Sequence, residues 1–468
     1  MSSKETIKNF FNNIANHRLK WKKRNRFYYR SLEKYYSFII PEGSRVLEIG
    51  CGTAELLNAV KPAYGVGVDF SENMIDIARK RFPSLKFYVQ DAEDLQLEEK
   101  FDYIIMSDLV SALWDVRKAF KDLWKVSHRR TKVIISYHNY LWEPILKLGE
   151  KLRLKMKQPI QNWLHNRDIE NLLDLVGFEN IKIYRKLLFP KKIPVINFIF
   201  NTIAANLPIV NRLCLANLIV ARPRVETNQD YSVSIIVPAR NEKGNIENAI
   251  LRTPKFGKSQ EFIFIEGHSS DGTYEEILRV KEKYCDHNIV VMKQSGKGKG
   301  NAVREAFDRA SGEILMILDA DLSMPPEDLP QFYEVLRLNR GEFINGSRLV
   351  YEMDKQAMRF LNLMGNKFFA MLFTYLLGQR IKDTLCGTKV LFKSDYEKIK
   401  MNRKYFGDFD PFGDFDLIFG SAKLNLKIVE VPIRYRERAY GTTQISRFTH
   451  GWLLIKMSVI AAKKLKFL

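Results

Sequence analysis

The sequence predicts an α/β protein of two domains, each a mostly parallel sheet with helices packed on it. Three observations lead there. Short apolar runs bounded by polar residues recur through both halves, as strands buried on both faces do. Many of these runs end in a carboxylate or a glycine turn, the position where open α/β sheets bind ligands. A polar, proline-bearing stretch without periodicity, Arg222 to Asp230, separates the two series.

A chain of 468 residues exceeds one ordinary core, which agrees with at least two domains. The formal net charge of +21 calls for an anionic partner: phosphate groups, nucleic acid or an acidic membrane face. No zinc-finger spacing, RGG tract or RNP-like aromatic motif supports nucleic acid. Cys51, Cys214, Cys285 and Cys386 form no metal or disulfide pattern, so a reduced, cytosolic setting is expected. The first twenty residues lack the layout of a secretory leader, and no apolar run reaches the roughly 20 residues a spanning helix needs.

Residues 1–42 are basic and aromatic at helical spacing. Such a face is ordinarily solvated, though it would also suit a cover over an anionic substrate. Ser44 to Leu57 then reads as strand, glycine turn and helix start, with Gly50 and Gly52 letting backbone approach a ligand closely. Further strands follow at Gly65–Asp69, Phe87–Ala92, Phe101–Asp108 and Val133–Ser136, most tipped by a polar group. A nicotinamide-binding domain is the competing reading, but the third glycine of its fingerprint is missing. Together these residues resemble the class I S-adenosylmethionine-dependent methyltransferases over roughly residues 40–222, which implies a Rossmann-like sheet. By that resemblance Glu48, Gly50 and Gly52 border the methionine moiety, Asp69 takes the ribose, and Asp91 with Ala92 flanks the adenine. Asp108 and His138, at strand ends beside the expected methyl group, are the candidate bases. Residues 143–165 read as a basic helical cover. Ile193 to Asn211, apolar but punctuated by asparagine, reads as an amphipathic insertion.

The second half opens with strands at Val233–Val237, Glu261–Glu266 and Ile289–Met292, the last running into Gly296-Lys297-Gly298-Lys299-Gly300. Then comes Gly312 to Leu318, ending in Asp319-Ala320-Asp321, two carboxylates able to converge on one hard cation. This order is similar to that of the family 2 glycosyltransferases, of the dolichyl-phosphate mannosyltransferase type, over about residues 231–440. The resemblance implies a GT-A fold. It places Pro238, Asn241, Glu242, Glu266, Asp271 and Asp319 around the nucleotide sugar, and Mg²⁺ or Mn²⁺ on Asp319 and Asp321. Lys297 and Lys299, flanking a glycine turn, are expected to assist with the phosphates or contact the base. Glu266 and Gly267 stand where the family has acids, and Ser323 where it often has glutamine. Arg348 is expected to grip a phosphate, while Asp414 and Asp416, with Asp408 and Asp410 nearby, are the candidates for a base. Arg434, Arg436 and Arg438 form a basic loop. Two apolar helices carrying lysines, Arg359 to Gly378 and Phe448 to Leu468, suit a membrane interface.

The expected domains are 1–222, a linker 223–231, 232–445, and a C-terminal amphipathic helix 446–468. The expected function is bifunctional: a methyltransferase using S-adenosylmethionine, and a metal-dependent inverting glycosyltransferase taking a nucleotide sugar to a polyprenyl phosphate or other glycolipid. No nucleic-acid partner is expected, and the setting is peripheral on the cytoplasmic face of a membrane. Two rivals stand beside it: a glycosyltransferase whose first domain binds the cofactor only to regulate, and a non-catalytic nucleic-acid binder driven by charge.

Overall fold

The computed structural model describes residues 3–158, 161–351, 360–406, 413, 415–436, 440 and 447–467. Contacts divide the chain between Val225 and Glu226 into two compact units.

The first unit is a seven-stranded sheet: β1 (Arg45–Ile49), β2 (Tyr64–Asp69), β3 (Lys86–Val89), β4 (Phe101–Ser107), β5 (Ser127–His138), β6 (Phe178–Lys186) and β7 (Ala216–Pro223). The order is β3-β2-β1-β4-β5-β7-β6. β1 to β5 pair in parallel, and β7 runs antiparallel between β5 and β6. Alternation across the pleat explains the unbroken apolar runs. Leu47, Ile104, Val133 and Ile135 enter one core, while Val46, Ile105 and Ile134 enter the other. Helix starts are fixed locally: Ser71 and Asp115 accept from the amides of Met74 and Lys118. β7 continues to Pro223, so the first residue expected in the linker belongs to the sheet. The segment 193–213 folds as short helical turns whose asparagines brace the backbone. Asn201 exchanges two hydrogen bonds of 2.8 Å with the Phe189 main chain, and Asn197 accepts from Ile193 N.

The second unit has β8 (Ser232–Ala239), β9 (Ser259–Glu266), β10 (Asn288–Lys293), β11 (Ile314–Ile317), β12 (Phe343–Ser347), β13 (Lys389–Phe392) and β14 (Ile428–Pro432), ordered β10-β9-β8-β11-β13-β12-β14. All pairs are parallel except those made by β13. That antiparallel strand was not anticipated. It matters because its approach, Cys386-Gly387-Thr388, passes the carboxyl end of β11. The helices expected at a membrane interface run Phe360–Leu377 and Arg447–Ala461. Among the described residues no helix is long and apolar enough to cross a membrane.

Candidate active sites

The polar strand ends of the first unit surround one cavity of about 310 Å³. Gly50, Gly52, Asp69, Asp91, Ala92, Asp108 and His138 all line it. Gly50 and Gly52 adopt positive φ, and a Cβ on Gly50 would strike the Leu109 side chain at 2.7 Å. Asp69 accepts from the amides of Gly52 and Ser71, both at 2.9 Å, which ties the glycine turn to the next strand end. Burial pushes the Asp69 carboxyl up, against those two donors. Glu48 lies behind the turn and is absent from the lining. Its carboxylate accepts from Leu57 N at 3.0 Å, and burial pushes it up to about 8 despite the nearby Lys22.

The roof is the helix Ser3–Arg24, which contributes Lys4, Ile7, Phe11, Arg18 and Trp21 to the cavity. Lys4 lies 2.6 Å from Asp91 and 2.7 Å from Glu93, and Lys22 lies 2.5 Å from Glu55. Arg18 is the informative residue. Its Nε is buried and has no hydrogen-bond partner among the described residues, and an ideal Cβ on Gly52 would sit 3.9 Å from it. An unpaired buried guanidinium donor is costly unless a ligand anion completes it. The sequence reading treated this helix as a basic face in general and missed Arg18, Lys4 and Glu93. The spacing of Ile7, Phe11, Arg18 and Trp21 puts them on one helical face, but nothing local marks that face as the one over the cavity.

At the other end of the cavity, the Tyr28 hydroxyl lies 3.0 and 2.9 Å from the two Asp108 oxygens, and its ring lies 5.5 Å from the His138 ring. Asp108 holds a positive φ at the end of β4. Burial pushes the His138 imidazole below the ordinary histidine value, with Asp108 opposing, and this favours the neutral base. Tyr28 is pushed well up by burial and by Asp108, so it stays a hydrogen-bond donor.

In the second unit the strand ends are joined to one another. Asn241, at positive φ after β8, accepts from Ser270 N at 2.9 Å, and its own amide donates to Ser269 Oγ at 3.0 Å. Glu242 is bound by Asn245 Nδ2 at 2.7 Å, and Glu266 accepts from the Ser269 amide. Asp271 accepts from Thr273 N and Lys243 N, at 3.0 and 3.3 Å. Pro238 lies in β8 opposite Ile265. Lys297 is exposed on the glycine loop, whereas Lys299, at the start of the helix Lys299–Arg309, reaches Asp319 at 2.6 Å. Burial would raise the Asp319 carboxyl, but the Lys299 ammonium, with Lys389 and Arg348, holds it below the usual range. Gly387 packs so closely that a Cβ would collide with the Asp319 carboxylate. Asp321 is buried and accepts from Ser323 N at 3.0 Å and Ser323 Oγ at 2.7 Å. The Ser323 hydroxyl is thus engaged with Asp321 itself.

Arg348, expected on a phosphate, makes a two-pronged pair with the fully buried Asp383, at 2.7 and 2.8 Å. Asp416 is buried at the start of the helix Phe415–Lys423, where Arg304 and Arg403 bind one of its oxygens at 3.0 and 3.1 Å. Asp408, Asp410, Asp414 and Arg438 lie outside the described residues, as does Arg359. Among the described residues no cluster of three or more His, Cys, Asp or Glu has metal-binding geometry.

Comparison with known proteins gives each unit a relative. Residues 21–183 match the family model "Methyltransferase domain", and residues 234–400 match "Glycosyl transferase family 2". The chain is 30% identical over 219 residues to a dolichol-phosphate mannosyltransferase of Pyrococcus furiosus, covering 46% of this chain and 59% of that protein. It is 29% identical over 140 residues to an undecaprenyl-phosphate 4-deoxy-4-formamido-L-arabinose transferase of Salmonella paratyphi B, covering 28% of this chain and 42% of the relative. The chain thus spans about half the length of the curated relatives it matches. Among solved structures, a SAM-dependent methyltransferase of Thermotoga maritima aligns over 47% of this chain and all of its own length, at 19% identity and a TM-score of 0.38.

Proposed function

We propose that this chain, a methyltransferase domain followed by a family 2 glycosyltransferase domain, is a bifunctional transferase of glycolipid assembly. The first unit methylates. The second moves a sugar from a nucleotide-diphosphate donor to a polyprenyl phosphate or other glycolipid, as the names of its relatives suggest. The observation that carries the reading is the convergence of polar strand ends on one cavity in the first unit, with Asp319 and Asp321 closing the strand β11 in the second.

S-adenosylmethionine fits the first cavity because Arg18 offers an unmet donor for a carboxylate beside the glycine turn. Asp69 would accept from ribose hydroxyls and Asp91 would flank the adenine, with Lys4 holding the roof closed over Asp91. Bound there, the cofactor supplies a sulfonium-activated methyl group. Neutral His138, or Asp108 once Tyr28 yields it, would take the proton from a hydroxyl acceptor. The hydrogen bonds from Tyr28 to Asp108 also favour a second reading, in which the unit binds cofactor without transferring its methyl.

Mg²⁺ or Mn²⁺ fits Asp319 and Asp321 because a cationic ammonium already rests on Asp319, and water and diphosphate oxygens complete such sites. Held there, the metal supplies a Lewis acid for the departing diphosphate. Lys299, released from Asp319, would turn to the phosphates, with Lys297 beside it. Asn241, Glu242, Glu266 and Asp271 would hold the nucleoside. Arg348 would position Asp383 and the loop before β13. A lipid phosphate attacks already ionised, so no base is required. For a hydroxyl acceptor, Asp414 is the candidate, since Asp416 is held by two arginines.

Peripheral contact with the cytoplasmic face of a membrane is supported by apolar stripes on the second unit. Met364, Phe368 and Met371 are exposed on one helix, and Trp452, Ile455 and Val459 on the other. The test is a panel of nucleotide sugars with polyprenyl phosphate, with Mg²⁺ or Mn²⁺ and with chelator, beside thermal shift and methyl release with S-adenosylmethionine. Sugar transfer that survives chelation would overturn the metal assignment. Cofactor binding without methyl release to any cell glycolipid would select the second reading.

A further inference from the structure

We infer that the first unit has its own docking face for an anionic lipid bilayer, and that its methyl acceptor enters the cavity from that bilayer. This rests on the methyltransferase reading of the cavity and is independent of the stripes on the second unit.

The face is built from two segments. On the helix Glu143–Lys151 and its end, Ile145, Leu148 and Leu152 point to solvent at helical spacing. In 193–213, Val195 is 70% exposed and Ile209 81%, with Phe198 also outward. Here Asn197, Asn201 and Asn206 are spent on bracing the backbone, and large apolar side chains occupy much of the outer surface. Soluble monomers rarely leave so many large apolar groups uncovered together.

The two segments flank the same opening. Trp142 Nε1 donates to Leu213 O at 2.8 Å, and Asn25 contacts both Leu154 O and Lys191 Nζ, at 3.4 and 3.5 Å. Ile145, Leu154 and Lys191 line the same cavity as Asp108 and His138. A molecule lying with its tail in this face therefore has its head directed at the candidate bases.

Charge selects the occupant. No Asp or Glu occurs between Glu150 and Asp168 or between Glu179 and Glu226, whereas Lys151, Arg153, Lys191, Lys192 and Arg212 are all exposed. On the helix itself Glu143 and Glu150 are each paired to a lysine, Lys147 and Lys155, and apolar groups ringed by the exposed cations match an anionic headgroup layer over an acyl interior. A second copy docking through the same face would oppose like charges.

The experiment uses the full chain. Cys285, the exposed cysteine among three buried ones, is replaced by Cys285→Ser, and an environment-sensitive fluorophore is attached at Val195→Cys or, as a control, at Glu98→Cys. With vesicles of phosphatidylglycerol and phosphatidylcholine, the probe at 195 should shift to the blue and brighten several-fold while the probe at 98 stays unchanged. Vesicles that sediment the protein without moving the probe at 195 would overturn the docking face and leave the binding to the second unit. A shift without vesicles that grows with protein concentration would assign the face to a second copy, and also overturn it. For the acceptor, the double variant Val195→Glu, Ile209→Glu should lose labelled-methyl transfer to cell lipids in vesicles, yet keep it on the same lipids in detergent. Equal transfer in both would refute entry from the bilayer. Failure of cofactor binding in the parent chain would instead sink the methyltransferase reading and leave the probe result standing.

Discussion

In the first unit the polar strand ends face an open cavity, and the groups expected to touch ligand are held largely by backbone amides, as Asp69 is by Gly52 and Ser71. In the second unit the nucleotide-side groups such as Asp271 are also held by amides, but the charged groups around β11 and β13 and Asp416 pair side chain to side chain, as in Lys299 with Asp319, Arg348 with Asp383, and Asp416 with Arg304 and Arg403. The contrast follows the charge of the expected ligands. A cofactor whose one carboxylate is balanced by its own ammonium and sulfonium carries no net negative charge, so shape and one unmet donor for that carboxylate suffice. A diphosphate with its cation needs several full charges, and full charges cannot wait unpaired in a half-buried site. The second unit stores these charges as internal pairs, and on the proposed reading binding there would mean exchanging partners.

The largest way to break this comparison is Asp321→Asn. If the strand end of β11 is a metal site, transfer of sugar falls at least about 100-fold, since a Lewis acid on a leaving diphosphate is worth several kcal/mol. The thermal shift caused by S-adenosylmethionine should be unchanged, because Asp321 lies in the other unit. Full turnover of the variant, or a lost cofactor response, removes the division of labour between the units.

Next is Arg18→Gln. A charge-assisted hydrogen bond is worth about 1.5–3 kcal/mol, so cofactor affinity should weaken about 10- to 100-fold by calorimetry, with sugar transfer untouched. Arg18→Lys should recover part of the loss. An unchanged affinity would mean that the buried Nε is left unpaired in the loaded protein too.

Much of this was legible in the sequence because strand ends are written locally. Asp69, Asp91, Asp108 and the Asp319–Asp321 pair each follow an apolar run, and the pleat dictates where such residues emerge. What stayed hidden depends on long-range packing. β13 is only four residues, Lys-Val-Leu-Phe, too short for a period to show. Its antiparallel entry brings Gly387 against Asp319, a long-range contact between the approach to β13 and the end of β11 that no local pattern encodes. Arg18 looked like one cation among many on a basic helix, and only the roof position distinguishes it. Arg348 read as a phosphate ligand because its partner Asp383 is distant in sequence and fully buried.

A smaller effect tests the exchange of partners itself. Lys299→Met removes the ammonium that occupies Asp319. If that ammonium stands in for the metal, binding of Mn²⁺ without donor should tighten by about fivefold, the worth of a partly exposed ion pair near 1 kcal/mol, while sugar transfer slows. Weaker Mn²⁺ binding would show that Lys299 supports the metal and does not compete with it.

The smallest effect concerns the first unit and proton uptake. Burial holds His138 below its ordinary value of 6.5. Above that pH the histidine is neutral in both folded and unfolded chains and contributes no pH dependence. As pH falls through 6.5 the unfolded chain takes up a proton that the folded one refuses, so the folded state loses stability down to the folded pKa, at about 1.4 kcal/mol per pH unit at most. Glu48 acts in the opposite sense. With its carboxyl pushed up to about 8, the folded state gains stability as pH falls from 8 towards the unfolded value of 4.5. The melting curve of the parent chain alone therefore mixes slopes of opposite sign, these two among others. The difference between the parent and His138→Gln isolates one of them, because Glu48 is common to both. Between pH 7 and 5.5 the parent should lose stability relative to the variant by thermal or urea melts at each pH. If the two curves stay parallel, His138 titrates like a solvated histidine and the neutral-base role fails. The cavity would then hold Asp108, with Tyr28 as its gate, as the group left to take the proton.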